Sequence, residues 1–133
     1  MPAVVADTHA IVWYLTNSPR LSPAAAKAFD DASAAGDSIL IPSISLVELT
    51  YLVEKCRVPA EARKRLVDAL AQLGGPYELA PLDGRVAAAV ELIDRNVVPD
   101  MPDRIIAATA LSARAALVSR DGKIRASQVQ TIW

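Results

Sequence analysis

The sequence predicts an α/β fold in which a parallel sheet of about five strands lies between two layers of helix. Three observations predict it. Apolar runs such as Ala3-Val-Val-Ala and Ser38-Ile-Leu-Ile are too short for helices and suit central strands buried on both faces. Between these runs lie longer segments with apolar residues three and four apart, bounded by cap and stop signals. Strands joined through helices require right-handed crossovers, which make the sheet parallel and cover both of its faces.

Each element has its own reason. Ala3-Val-Val-Ala reads as the first strand and ends on Asp7. Asp7 or Thr8 can cap a short helix over His9-Ala-Ile-Val-Trp-Tyr-Leu, and Asn17-Ser-Pro breaks it. Ser22-Pro23 is a cap followed by a first-turn proline, opening an alanine-rich helix to about Ala35 with Gly36 as its stop. Ser38-Ile-Leu-Ile is the second strand, ended by Pro42. Ser45-Leu-Val-Glu48 has the capping-box form, predicting a helix that starts there and runs to about Lys55. Pro59 opens a further helix to about Leu73, closed by Gly74-Gly75-Pro76. Tyr77-Glu-Leu-Ala-Pro-Leu predicts an edge strand because proline cannot donate to a ladder. Asp83 caps a helix to about Arg95. Asp100 to Ala115 is a helix with Pro102 and Asp103 in its first turn, where a missing N–H costs nothing and the dipole favours an acid. Its residues Ile105, Ile106, Thr109, Ala110 and Ala113 form a small-residue face able to lie close on a sheet. Ala115-Ala-Leu-Val-Ser is a buried strand followed by an Asp121-Gly122 turn, and Val129 to Trp133 is the last strand.

Composition bounds the function. With 133 residues and 53% hydrophobic content, one domain spanning residues 1–133 can bury a real core, which excludes a disordered chain. A single cysteine, Cys56, excludes a disulfide framework and a thiolate zinc site, and fits a reducing cytoplasmic compartment. No apolar run reaches the ~18–20 residues of a membrane span, and no basic-then-apolar leader is evident, so no membrane partner is expected. Fourteen basic residues against fifteen acidic ones give a net charge of −1, which excludes holding nucleic acid by bulk charge alone.

Four acids carry the chemistry. Asp7 and Asp121 follow strands, while Glu48 and Asp103 fall in first helical turns after the strand edge. In a parallel α/β fold all four places lie near the carboxyl edge of the sheet, where ligands bind. At ~4 Å and an effective dielectric of ~20, each like-charged pair costs about 4 kcal/mol, a cost that divalent cations remove. Oxygen ligands without a cysteine or histidine cluster point to Mg²⁺ or Mn²⁺ rather than Zn²⁺. Each acid also has a structural reading: Glu48 as part of a capping box, Asp103 as a dipole partner, and Asp121 as an ordinary Asp-Gly turn. Asp7 has the weakest such reading. The joint placement of the four carries the argument.

Ala6-Asp7-Thr8-His9, Ser43-Ile-Ser-Leu-Val-Glu48-Leu, Pro102-Asp103-Arg104-Ile-Ile-Ala-Ala-Thr-Ala and Leu117-Val-Ser119-Arg120-Asp121 together resemble the PIN-domain ribonucleases. Within them the chain is most similar to the VapC-type toxins of bacterial toxin–antitoxin pairs. The resemblance spans nearly the whole chain and implies a PIN-like three-layer α/β/α fold with an acidic Mg²⁺/Mn²⁺ site. It implies that Asp7, Glu48, Asp103 and Asp121 are metal-binding catalytic acids, with Thr8 and Ser119 hydrogen-bonding them or a metal-bound water. Asp100, three residues before Asp103, is a cap first and a helper second. The implied activity is in-line hydrolysis of RNA phosphodiesters, leaving 5′-phosphate and 3′-hydroxyl ends. An RNA substrate, a cognate antitoxin and a homodimer are the implied partners.

The remaining polar and aromatic residues take lesser roles. The lone His9 reads as a packing or antitoxin contact, since no second histidine supports a 2′-hydroxyl route. Arg104 reads first as the ion-pair partner of an acid and second as a phosphate contact. Arg104, Arg114, Arg120, Lys123 and Arg125 face only one further acid in their stretch, and some of them can flank an RNA track. The cluster of Lys55, Arg57, Arg63, Lys64 and Arg65 reads as a solvated helix face, and Trp13, Tyr14 and Tyr51 read as core. A receiver domain would need paired acids after the first strand, and an aspartyl phosphatase would need Asp-x-Asp where position 9 is His. The rival that shares the fold is a catalytically silent PIN module that binds RNA or protein without cutting.

Overall fold

The computed structural model describes residues 3–133 and contains five strands and seven helices. The strands are β1 (Val4–Ala6), β2 (Ile39–Pro42), β3 (Tyr77–Ala80), β4 (Ala116–Val118) and β5 (Thr131–Ile132). The helices are α1 (Thr8–Leu15), α2 (Pro23–Ala34), α3 (Ser43–Glu54), α4 (Ala60–Ala71), α5 (Gly84–Val90), α6 (Met101–Ala113) and α7 (Gly122–Arg125). All strand pairs are parallel, in the order β3-β2-β1-β4-β5, with Val5 opposite both Leu40 and Leu117. The chain therefore builds outward from β1 in one direction through β2 and β3, and in the other through β4 and β5. The switch point lies between β1 and β4.

Strand alternation divides the core in two. Val4, Ala6, Ile39, Ile41 and Val118 point to one face and pack with Ile11, Phe29, Leu49 and Leu66 of the first four helices. Val5 and Leu117 point to the other and pack with Val86, Ile106, Ala110 and Ile124, with the partly buried Leu40 against them. A side chain turned between faces thus leaves one helical layer for the other, and each fully buried Leu or Ile contributes about 1.5–3 kcal/mol.

Several boundaries are set by contacts that local patterns do not encode. α3 begins at Ser43 after Pro42 with no side-chain cap, so the predicted capping box does not form. Ser45 lies inside the helix and is fully buried, and Glu48 falls in the second turn. α5 stops at Val90, short of Arg95, because the Arg104 guanidinium occupies the end of that segment: its Nη2 donates to the carbonyls of Val90 at 2.9 Å and Ile93 at 2.7 Å. Arg104 therefore plugs the end of α5 and, among the described residues, pairs with no acid. α6 is buried continuously from Ile105 to Ala110 because it lies across the sheet, while Ala113 is exposed. Arg114 closes α6 in the left-handed region at φ 53°. The last strand shrinks to two residues. The predicted caps Asp7, Ser22, Asp83 and Asp100 all form, as does the edge position of β3.

Candidate active site

Asp7 stands directly beyond β1, and its backbone N–H continues the ladder to the Val118 carbonyl at 3.1 Å. Its extended conformation ends the strand and caps α1, with Oδ1 accepting the Thr8 N–H at 2.7 Å. Across the switch point, Ser119 follows β4, fully buried, and its hydroxyl donates to Asp7 Oδ2 at 2.6 Å. Both oxygens of Asp7 are thus fixed by groups its own strand edge provides. Burial pushes the Asp7 carboxyl above its ordinary value, and these two hydrogen bonds oppose that rise.

Thr8, also buried, reaches across to α3. Its hydroxyl lies 2.6 Å from Glu48 Oε1 and 3.0 Å from Ser45 Oγ. A hydroxyl has one proton, so Thr8 donating to Glu48 leaves it as acceptor for Ser45. This bridge of 40 residues in sequence gives Ser45 its real role, holding Thr8 rather than capping α3. Burial raises the Glu48 carboxyl, with the Thr8 hydrogen bond working against it and the charges of Asp7 and Asp100 adding to it.

The other wall comes from α6 and the loop after β4. Asp100 caps α6 by accepting the Asp103 N–H at 3.2 Å. Asp103, half-buried in the first turn, has its carboxyl pushed up to about 7, first by burial and then by Asp100, Asp121, Asp7 and Glu48. Asp121 caps the short α7 through Oδ1, which accepts from Lys123 N and Ile124 N, while its own N–H donates to Ser119 Oγ at 3.1 Å. The predicted Asp-Gly turn is therefore a helix cap.

Asp7, Glu48, Asp100, Asp103 and Asp121 all line one open cavity of about 350 Å³. Among the described residues no three acidic, histidine or cysteine side chains converge tightly enough to enclose a cation in this conformation. Along that wall the carboxyls of Asp7, Glu48 and Asp103 are raised, first by burial and then by the charge of neighbouring acids. Oxygen donors in that state suit a hard divalent cation, which binds carboxylates and water and needs no sulfur or nitrogen ligand.

Aromatic and basic side chains complete the cavity wall. Trp13 is buried as predicted but forms part of the wall, together with Trp133, whose ring centroid lies 6.0 Å away. Exposed His9 packs on Trp13 at 5.5 Å, and Arg120 lies with its guanidinium carbon 4.7 Å from the Trp13 ring centroid. No short-range signal ties Trp133 to Trp13. Tyr51 is 59% exposed rather than core, and Tyr14 donates its hydroxyl to Asp30. The cluster near Lys64 is a solvated face: Lys64 pairs with Asp68 and Arg65 with Glu61 along α4.

A parallel sheet whose switch point opens onto five carboxylates defines an α/β protein with an acidic centre. The family model for the PIN domain matches residues 4–128, and the chain belongs to that family. It is similar to Ribonuclease VapC22 of Mycobacterium tuberculosis, with 29% identity over 136 residues that span 100% of both chains. Its fold matches the crystal structure of VapBC2 from Rickettsia felis bound to a DNA fragment from their promoter. The TM-score is 0.69 at 18% identity, over 97% of this chain and 96% of that one. FitAcB from Neisseria gonorrhoeae gives 0.60 at 20% identity, over 96% and 95%. No helix of the described residues is long and apolar enough to cross a membrane.

Proposed function

We propose that the chain is a metal-dependent endoribonuclease, the toxin of a toxin–antitoxin pair, with residues 1–133 acting as one cytoplasmic PIN domain. The observation that carries this reading is the meeting of Asp7, Glu48, Asp103 and Asp121, from four separate elements, on one cavity at the sheet's switch point. Membership of the PIN-domain family and the likeness to a protein named as a ribonuclease support it.

On this reading the four acids hold Mg²⁺ or Mn²⁺, with Asp100 beside them. The bound cation supplies Lewis acidity, lowering the pKa of water and offsetting charge on a phosphodiester. The chain's own groups set the geometry. Ser119 and the Thr8 N–H fix both oxygens of Asp7, so its carboxylate cannot rotate away. Thr8 holds Glu48 toward the cavity. Asp103, whose carboxyl is raised to about 7 without a cation, first by burial and then by the acids around it, is the ligand whose charged form a bound cation would favour most. Hydrolysis by water leaves a 5′-phosphate and a 3′-hydroxyl. The likeness to VapC-type toxins brings with it a cognate antitoxin and a homodimer as partners.

The test is cleavage of a mixed RNA pool by purified protein with Mg²⁺, with Mn²⁺ and with chelator, beside Asp7→Asn, which keeps the shape and removes the charge. Metal-dependent cutting lost in the variant, with 5′-phosphate ends, is the expected result. No cutting by wild type or variant under any metal would instead favour the silent PIN module.

A further inference from the structure

Arg120 is the only lysine or arginine among the residues lining the acidic cavity, and it lies between Ser119 and Asp121 in the chain. Five carboxylates share that cavity, yet Arg120 makes no ion pair or hydrogen bond with any of them among the described residues. Its guanidinium lies over the face of Trp13, which is itself braced by Trp133 and His9. Stacking on the indole holds the guanidinium by its face and leaves its edge, which carries the N–H donors, unpaired with the acids. The side chain is exposed, so its planar fork of N–H donors is open to the cavity.

This arrangement matters because an anionic substrate must enter a cavity lined with acids. A guanidinium paired with Asp103 or Asp121 would neutralise those acids and lose its donors. A guanidinium parked on an indole keeps both functions separate. We infer that Arg120, held on Trp13, is the phosphate clamp of the site: it binds a backbone phosphate of single-stranded RNA beside the acidic centre, with Trp13 as its positioning residue. The inference rests on the ribonuclease reading and assigns the wall of that site on which the RNA backbone lies.

The test is the affinity of the full chain for a fluorescein-labelled single-stranded RNA of mixed sequence, followed by anisotropy across a salt series. Ca²⁺ replaces Mg²⁺, and a denaturing gel confirms that the RNA stays intact. Wild type, Arg120→Lys and Arg120→Gln are compared, with circular dichroism melts to confirm equal folding. The Gln variant is expected to bind about tenfold more weakly at low salt. Its slope of log Kd against log salt should fall by about 0.7, the value for one lost phosphate contact on a single strand. The Lys variant should keep the slope, because the charge remains, while binding less tightly than Arg. An unchanged slope in Arg120→Gln, with wild type binding RNA, would overturn the clamp and leave the ribonuclease reading standing. Wild type that neither binds nor cuts RNA would overturn both.

Discussion

Replacing Asp103 with Asn should stabilise the cation-free protein above neutral pH. The Asp103 carboxyl is held at about 7 against an ordinary 3.8, mainly by burial and then by the four acids around it. An acid raised in the folded state keeps its proton there while the unfolded chain has lost it. Its stabilising contribution is complete below about pH 4 and disappears as the pH climbs through 7. Three pKa units correspond to about 4 kcal/mol, but Asp103 is half-exposed, and solvent screening reduces this to about 1–2 kcal/mol. Loss of the favourable dipole interaction in the first turn of α6 takes back about 0.3–0.5 kcal/mol. The net gain at pH 8 is about 1 kcal/mol, equivalent to a melting shift of about 3–5 °C for a chain of this size. Thermal or urea unfolding in chelator, at pH 5 and pH 8, measures it. The wild type should lose more stability than Asp103→Asn between the two, and added Mn²⁺ should raise only the wild type strongly. A variant equal to or weaker than wild type at pH 8 in chelator would refute the charge-crowding argument.

Two other perturbations follow from single contacts. Thr8→Val removes the hydroxyl between Glu48 and Ser45, leaving a buried serine without its partner. The expected cost is about 1–3 kcal/mol in urea unfolding, together with a Glu48 carboxyl, followed by NMR titration, that rises further once its lowering hydrogen bond is gone. Arg104→Met strands the carbonyls of Val90 and Ile93, and should cost about 2–4 kcal/mol in the same unfolding assay while the RNA salt slope stays unchanged. A changed slope would place Arg104 on the RNA after all.

The legibility of the molecule depended on the range of the contacts involved. β1, the Asp7 cap, the Ser22 cap and the acid in the first turn of α6 are decided within a few residues, and the local pattern located each of them. The parallel order then placed four acids at one edge without any side-chain contact being visible. Where a distant partner decides the outcome, the pattern misled. Ser45 and Glu48 read as a capping box, but Thr8, some forty residues away, claims both. Arg104 sits beside an acid in sequence, yet folds back onto the end of α5, where backbone carbonyls need a donor. The wall of Trp13, Trp133 and Arg120 joins opposite ends of the chain, and nothing local marks it. Tyr51 shows the converse: an aromatic on a helix is core only if another layer covers it, and none of the described elements does.

The cation-binding centre is tested most directly by anomalous diffraction from crystals soaked in Mn²⁺. The expected result is anomalous density in the cavity among Asp7, Glu48, Asp103 and Asp121, with carboxylate oxygens about 2.0–2.3 Å from it, and none in Asp103→Asn crystals soaked alike. Strong Mn²⁺ density elsewhere on the chain, with this cavity empty in the wild type, would contradict the claim that these acids form one cation-binding catalytic centre.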